Sequence, residues 1–320
     1  GSFYSGSIAE TDTPYSHGCH LHPNNWVEKT ELLMASYKIM DGAMGSELIR
    51  RGEKLPPHIW SAHTNLYNSE EVYQVHLDNI QAGAHIITAN TFRSTPRAYS
   101  KTGLSKKAAE AQAQRSHASA MHIAHRAANE TITVLGSIAP LEDCYMPELF
   151  PGEDIAFNEF SQLGNWMKET NADGIILETM NSIAEMRVAL SALHSLDLPL
   201  YISFYLEDAE HLGSGERLNT LLSMLQDYSV ESVLMNCTPI DILSEAVDNF
   251  VTIWPGKWGI YPNLGVGKPA PSGVIKQTVN DEELLSLMRK SVDNGAQIIG
   301  GCCGSTPRHI ALMKNEFSAI

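Results

Sequence analysis

The chain has 320 residues, a length that suits one large domain or two ordinary ones, and 43% of them are hydrophobic, enough for a substantial core. Its 22 Lys and Arg residues stand against 37 Asp and Glu residues, which gives a formal net charge of −15. This acidic balance, with no basic block to interrupt it, argues against nucleic acid and anionic membrane surfaces as partners.

The sequence shows neither a signal peptide nor an apolar run close to the ~20 residues that a membrane-spanning helix needs. The five cysteines are an odd number, and only Cys302 and Cys303 are adjacent. Such a set is not a disulfide framework. We therefore expect a cytoplasmic protein with reduced thiols and no membrane partner.

The first 36 residues are polar and without periodicity, and they begin with a Gly-Ser pair typical of a cleaved expression tag. Their cluster of His17, Cys19, His20 and His22 has metal-compatible side chains, although a flexible histidine-rich arm is the simpler interpretation. The predicted organisation is an irregular N-terminal arm, residues 1–36, followed by one domain, residues 37–320.

From residue 37 onward, short β-rich apolar runs alternate with segments of helical periodicity. Eight strands are predicted, at residues 37–40, 85–90, 132–138, 174–179, 200–206, 232–237, 258–263 and 297–302. The clearest helices are predicted at residues 69–83, 105–129, 182–196 and 280–295. Asn280 offers N-cap chemistry to the last of these helices, while Gly83 and Gly295 are typical helix ends.

Strands that are apolar on both faces and separated by helices predict a parallel sheet covered by helices. Eight such units in about 280 residues fit an α/β fold with a single closed (β/α)8 TIM barrel. An open doubly wound sheet is the alternative. In a barrel the active site lies at the carboxyl ends of the strands, so the residues that follow each strand become the candidates.

Cysteines stand at two of those strand ends. Cys237 ends the sixth predicted strand, and Cys302 and Cys303 end the eighth between pairs of glycines. Because side chains alternate along a strand, adjacent thiols converge only where the backbone turns, and glycines permit such a turn. Three thiolates bind Zn²⁺ well and leave the fourth tetrahedral position open, as in a catalytic site. Inert buried thiols and a vicinal disulfide are the alternatives.

Several motifs in chain order resemble those of the homocysteine S-methyltransferase family, over residues 37–314. They are DGAMGSELIRRG (41–52), ANTFRST (89–95), GSIAPLEDCY (136–145), LETM (177–180), YISF (201–204), NCT (236–238), YPNLG (261–265) and GGCCG (300–304). The resemblance implies a (β/α)8 barrel, a zinc ion held by Cys237, Cys302 and Cys303, and homocysteine as the methyl acceptor.

The resemblance also implies the reaction. A free thiol has a pKa near ~8.5, so most homocysteine is protonated at neutral pH, whereas zinc would hold it as a nucleophilic thiolate. That thiolate would take a methyl group from a small cationic donor and become methionine. We expect S-methylmethionine as the donor, with betaine, S-adenosylmethionine or another sulfonium as alternatives, and a monomer or small homo-oligomer.

Six residues are predicted to bind the amino-acid substrate. The carboxylate of Glu178 can accept the ammonium protons, although a structural role for it is the alternative. Asp41 matches the substrate-contacting aspartate of the family, and the small Gly42 and Ala43 would let backbone N–H groups approach the substrate carboxylate. Ala43 stands where the family commonly has glycine. The set is completed by two strand-end residues, Thr91 and Asn236.

An aromatic wall for a methylated cation is predicted at Trp60 and Phe92, with Tyr145 nearby, because aromatic faces attract cations. Cys144 is interpreted as a bystander thiol. The histidines of the strands and helices are interpreted as structural or surface residues; they are His85, His117, His122 and His125.

Two other functions remain as alternatives. A metal-assisted hydrolase or aldolase would use Asp41 and Glu178 for acid–base chemistry, but such sites usually recruit histidine and carboxylate ligands rather than cysteines. A zinc or redox sensor would oxidise the pair Cys302 and Cys303 without catalysis. A hydrolase or aldolase of this kind would keep its activity after thiol alkylation, whereas the methyltransferase would lose it. A sensor would turn over no methyl donor.

Overall fold

The computed structural model describes residues 37–266 and 273–318. The predicted arm, residues 1–36, and its histidine and cysteine cluster lie outside the described residues. The described part forms ten strands, β1 (Lys38–Ile39), β2 (Ile86–Ala89), β3 (Thr133–Ile138), β4 (Gly174–Met180), β5 (Leu200–Phe204), β6 (Leu206–Asp208), β7 (His211–Leu212), β8 (Ser232–Pro239), β9 (Trp258–Asn263) and β10 (Ile298–Ile299).

Eight of these strands form one parallel sheet in the order β1-β10-β9-β8-β5-β4-β3-β2. A parallel bridge between Met40 and Ile86 joins the two ends of that order, so the sheet closes on itself. The remaining strands, β6 and β7, form a small antiparallel pair. The predicted (β/α)8 barrel is confirmed, each of its eight strands overlaps a predicted one, and the open doubly wound alternative is wrong.

Helices follow the strands around the barrel. They are α1 (Met44–Arg50), α2 (Thr64–Tyr67), α3 (Ser69–Ala82), α4 (Pro96–Ser100), α5 (Lys106–Ala127), α6 (Glu153–Glu169), α7 (Ile183–Leu193), α8 (Leu218–Leu225), α9 (Ile240–Ile253), α10 (Asp281–Asp293) and α11 (Pro307–Ser318), with 3₁₀ turns at Trp60–His63, Pro147–Leu149 and His194–Leu196. None of the helices in the described ranges is long and apolar enough to cross a membrane.

The local signals that predicted helix ends are present in the structure. Asn280 and Glu283 form a capping box at the start of α10, which satisfies two otherwise unpaired N–H groups. Gly83 ends α3 with φ of 117°, a left-handed conformation that glycine adopts without a steric penalty. Such signals fix the lengths of the helices and therefore the positions of the loops that build the cavity.

A ring of largely apolar side chains packs inside the barrel. Each of the eight barrel strands, or the residue directly after it, contributes one member: Met40, Ile86, Leu135, Ile176, Tyr201, Leu234, Tyr261 and Ile298. A larger apolar cluster packs between the strands and the surrounding helices. Because the interior is closed by this ring, polar side chains gather above it, at the carboxyl ends of the strands.

Candidate functional site

A cavity of about 540 Å³ opens at the carboxyl ends of the barrel strands. Its volume is within the usual range for small-molecule sites. The chemically distinctive groups of its lining are Asp41, Trp60, Phe92, Tyr145, Glu178, Cys237, Tyr261, Cys302 and Cys303. Most of the predicted site residues therefore share one cavity, although they are up to 262 positions apart in the sequence.

Three sulfur atoms meet at the base of this cavity. The Sγ atoms of Cys237, Cys302 and Cys303 all lie within 4.8 Å of one another, and those of Cys237 and Cys303 are 3.5 Å apart. Zn–S bonds of ~2.3 Å at tetrahedral angles require sulfur atoms about 3.8 Å apart. The three sulfur atoms are thus spaced so that they could hold one metal ion the size of zinc and leave a fourth ligand position open.

An irregular backbone brings Cys237 to this position. Cys237 has φ of 50°, and the register of β8 against β9 shifts between Asn236 and Pro239. A comparable shift occurs in β4 between Leu177 and Met180. Irregularities of this kind interrupt the alternation of side chains and re-aim them, and they are frequent near active sites.

The sulfur cluster favours negative charge at one member. Hydrogen bonds from Cys302, and then from Cys303, hold the pKa of Cys237 well below its usual range. The same contact with Cys237 raises the pKa of Cys302 and of Cys303 well above theirs. The contacts therefore favour a thiolate at Cys237, and a bound cation would allow all three sulfurs to ionise.

A buried carboxylate, Asp41, and a half-buried one, Glu178, face the same cavity. Asp41 is 6% exposed and accepts hydrogen bonds from Thr88, from its N–H at 2.9 Å and from its hydroxyl at 3.2 Å. The Ser137 hydroxyl donates to Oε2 of Glu178 at 2.6 Å. Neither carboxylate has an ion-pair partner among the residues that the structure describes.

Burial changes the charge of both carboxylates. It raises the pKa of Asp41 to about 8, with the nearby charge of Glu178 adding to the effect. Burial likewise raises the pKa of Glu178 to about 7, against the stabilising hydrogen bond from Ser137. Two carboxylates in this state attract a cationic group, because a positive charge between them would allow both to ionise.

Two backbone N–H groups in the loop after β1 already have hydrogen-bond partners. The N–H of Gly42 donates to Asn79 Oδ1 at 3.1 Å, and that of Ala43 donates to Ser305 Oγ at 2.9 Å. Ala43 has φ of −63°, so alanine causes no strain where the family commonly has glycine. Both residues line the cavity, but a substrate carboxylate would reach these N–H groups only if the two bonds opened. Their predicted role stays a prediction.

Thr91 and Asn236 lie behind the cavity wall rather than on it. The Thr91 hydroxyl donates to the carbonyl of Ser137 at 2.7 Å. Asn236 is fully buried and donates to Thr179 Oγ1 at 2.8 Å while it accepts from the Ser203 hydroxyl at 2.7 Å. These two residues support the site, and direct contact with a substrate stays a prediction.

The predicted aromatic residues lie on the cavity wall. Trp60 is held so closely by glycines that a Cβ on Gly45 would be 2.2 Å from its Nε1, and one on Gly273 would be 1.7 Å from its Cη2. The Phe92 ring lies under the Arg93 guanidinium, 5.0 Å from its centroid. The Tyr145 hydroxyl lies 3.5 Å from Cys237 Sγ, which places an aromatic group directly beside the sulfur cluster.

Cys144 and His85 have the roles that were predicted for them, whereas Tyr261 was not predicted as a site residue. Cys144 is buried, and burial raises its pKa to about 12, as expected of an unreactive thiol. His85 Nδ1 accepts a hydrogen bond from the Ile39 N–H, a structural role. Tyr261 lines the cavity but is not among the predicted site residues; its place near the end of a predicted strand was the available signal.

Comparison with known proteins agrees with this geometry. The sequence profile of the family described as homocysteine S-methyltransferase matches residues 38–317. The chain belongs to the homocysteine S-methyltransferase family. The predicted enzyme class, a methyltransferase, is confirmed with it.

Relatives in the family share about a quarter of their residues with the chain. The homocysteine S-methyltransferase of Escherichia coli (strain K12) is 28% identical over 296 residues, which cover 86% of this chain and 94% of the relative. The selenocysteine Se-methyltransferase of Brassica oleracea var. italica is 25% identical and covers 86% of this chain and 87% of its own length.

A solved structure shares the fold. The metallated form of the homocysteine methyltransferase MmuM from Escherichia coli superposes with a TM-score of 0.75 and 25% identity, covering 88% of this chain and 96% of that chain. Together with the three clustered cysteines, this supports a metal-binding site in the present family member.

Proposed function

We propose that this protein transfers a methyl group from a small sulfonium donor, with S-methylmethionine favoured, to the thiol of L-homocysteine, and so makes methionine. Zn²⁺ on Cys237, Cys302 and Cys303 is the proposed cofactor. One observation carries the proposal: three sulfur atoms within 4.8 Å of one another share a cavity with two carboxylates, Asp41 and Glu178, that have no ion-pair partner among the described residues.

The cavity has complementary groups for each part of homocysteine. Asp41 and Glu178 offer carboxylate oxygens to the ammonium group, and the three cysteines leave one tetrahedral position for the substrate sulfur. Zinc, when bound, would hold that sulfur as a thiolate at neutral pH. Anchoring the amine and the sulfur at two points orients the thiolate toward the rest of the cavity and lowers the entropic part of the barrier.

The remaining part of the cavity suits a cationic donor. Trp60, Phe92 and Tyr145 present aromatic surface, which attracts a sulfonium without forming a bond to its methyl group. Glu142 also lines the cavity, but, against the opposing effect of burial, hydrogen bonds from Lys101 and Arg97 hold the pKa of that carboxyl below its usual range and neutralise its charge. The aromatic side chains, rather than Glu142, therefore attract the cationic donor.

A donor panel tests the proposal. The purified protein is analysed for metal and then incubated with homocysteine and S-methylmethionine, betaine or S-adenosylmethionine in turn. We expect one zinc per chain and the fastest methionine formation with S-methylmethionine. Absence of stoichiometric zinc, or absence of methionine with every donor, would overturn the proposal. The cytoplasmic location and the monomeric or small oligomeric state stay predictions, which fractionation and light scattering test.

A further inference from the structure

One polar group of the cavity has no partner. The side chain of Tyr261 is buried, with 2% of the residue exposed, and its hydroxyl lies near the Glu178 carboxylate without a hydrogen bond of normal geometry to any described residue. Buried hydroxyls are nearly always hydrogen-bonded, because a hydroxyl that loses its hydrogen bonds to water on burial needs another partner. An unpaired hydroxyl on the wall of a ligand cavity therefore points to a ligand that supplies the missing bond.

The barrel fixes the position of this hydroxyl. The Tyr261 ring belongs to the interior ring of side chains, where it packs with Met40, Ile176 and Leu234. Its oxygen lies close to the Glu178 carboxylate and to Cys302, at the boundary between the apolar interior and the sulfur cluster. A side chain packed in this way cannot turn away to find water.

The nearby protein groups are already committed to other bonds. Ser203 donates its hydroxyl proton to Asn236 Oδ1 at 2.7 Å, and Oε2 of Glu178 accepts from Ser137 at 2.6 Å. Tyr261 Oη thus has a free lone pair, and the second oxygen of Glu178 is available to take the Tyr261 proton. The carboxylate and the hydroxyl together form an acceptor pair for one donor group.

A primary ammonium group matches the number of acceptors. It has three N–H donors, and the cavity offers one oxygen site each on Asp41, Glu178 and Tyr261. Building on the proposed function, we propose that the Tyr261 hydroxyl accepts the third hydrogen bond of the substrate α-ammonium group. The acceptor substrate must then be a thiol with a free primary amine, and thiols that lack or acylate this amine are rejected.

Tyr261→Phe tests the proposal with two thiols. The first is homocysteine and the second is 4-sulfanylbutanoate, which is homocysteine without its amine. We expect kcat/KM for homocysteine to fall about 10- to 100-fold, mainly through KM, as for loss of a hydrogen bond to a charged group. For 4-sulfanylbutanoate we expect a change of less than about 3-fold, because that contact is absent. Zinc content should stay at the wild-type value.

Tyr201→Phe is the matched control, since it removes a hydroxyl from the same interior ring on another strand and does not line the cavity. It should leave the preference between the two thiols unchanged. Equal losses with both thiols in Tyr261→Phe, or no loss with either, would overturn the inference while leaving the proposed function intact. A wild-type protein that methylates no thiol would overturn both.

The wild-type protein tests the required amine even if Tyr261→Phe does not fold. We expect N-acetylhomocysteine and 4-sulfanylbutanoate to react at least about 100-fold less efficiently than homocysteine, because each loses the charged amine contacts. Comparable kcat/KM values for the three thiols would show that the amine is not recognised and would sink the inference.

Discussion

Thr179 and Cys237 share a left-handed backbone, with φ of 59° and 50°, although they lie on different strands of the barrel. The side chain of Asn236 links the two irregular segments, because its Nδ2 donates to Thr179 Oγ1 at 2.8 Å. Such conformations are unfavourable for residues other than glycine and persist only where surrounding contacts impose them. Here they bring the Glu178 carboxylate and the Cys237 sulfur to one cavity.

Asn236→Ala should therefore weaken both the fold and the metal site. The substitution leaves the hydroxyls of Thr179 and Ser203 without their partner, and the expected loss is about 2–4 kcal/mol in the free energy of unfolding. We also expect zinc affinity to fall about 10-fold, measured by competition with a chromophoric chelator. Ser203→Ala, which removes one of the two bonds, should have a smaller effect; zinc affinity unchanged in Asn236→Ala would contradict the link.

The fold and the sulfur cluster were predictable from the sequence for physical reasons. Buried parallel strands must be apolar on both faces, and their alternation with helices leaves few architectures. Cys237, Cys302 and Cys303 follow strands, and the carboxyl ends of parallel strands lie at one edge of a barrel. The cluster of these residues in the structure follows from that rule.

The details of the site were less accessible. Nothing in the residue types of Thr179 and Cys237 indicates a left-handed backbone, nor the long-range bond from Asn236 that links the two segments. The N–H of Ala43 is bonded to Ser305, a residue 262 positions away, so a local motif cannot reveal that this donor is occupied. The residues that reach the cavity can be predicted from the sequence. The hydrogen bonds that these residues already make cannot, because their partners are distant in the chain.

Removing one cysteine of the cluster should remove the metal. Cys302→Ala leaves two sulfur ligands, and we expect zinc content to fall from one per chain to below about 0.1, with methyl transfer at least about 1000-fold slower. Cys144→Ala is the matched control, since this buried thiol lies outside the cluster of three. It should keep its zinc; loss of zinc from this control alone would contradict the assignment of ligands.

Binding of the substrate amine should depend on pH through Glu178. Its pKa, raised to about 7 by burial, means that the ionised fraction increases between pH 6 and 8. The affinity for an ammonium group should rise over the same interval. Methionine, the proposed product, has the amine without a thiol, so calorimetric titration with methionine isolates this effect from ionisation of the substrate sulfur.

Glu178→Gln should bind methionine about 10- to 100-fold more weakly at pH 8, because one charge-assisted bond is lost. The rise in affinity near pH 7 should disappear, while a rise due to Asp41 should remain, shifted below pH 8 because glutamine removes the Glu178 charge that helps to raise the pKa of Asp41. The sign is important: affinity that falls between pH 6 and 8 in the wild type would contradict an ionised carboxylate as the partner of the amine.

Gly45 tests the role of Trp60 without changing the indole itself. A Cβ on Gly45 would lie 2.2 Å from Trp60 Nε1 and 3.0 Å from Cε2, so Gly45→Ala must displace the ring. Gly45 lies in the first turn of α1, where alanine suits the helical backbone, and thermal unfolding of the variant separates a loss of stability from a loss of donor binding. We expect KM for S-methylmethionine to rise about 3- to 30-fold, as for loss of one cation–π contact, and KM for homocysteine to stay within about 2-fold.

Because Gly45 also lines the cavity, the substitution is repeated in a Trp60→Ala background. In that background Gly45→Ala should have no further effect on KM for the donor. An equal effect in both backgrounds would show that the new methyl group blocks the donor directly. Trp60 would then not be part of the donor site.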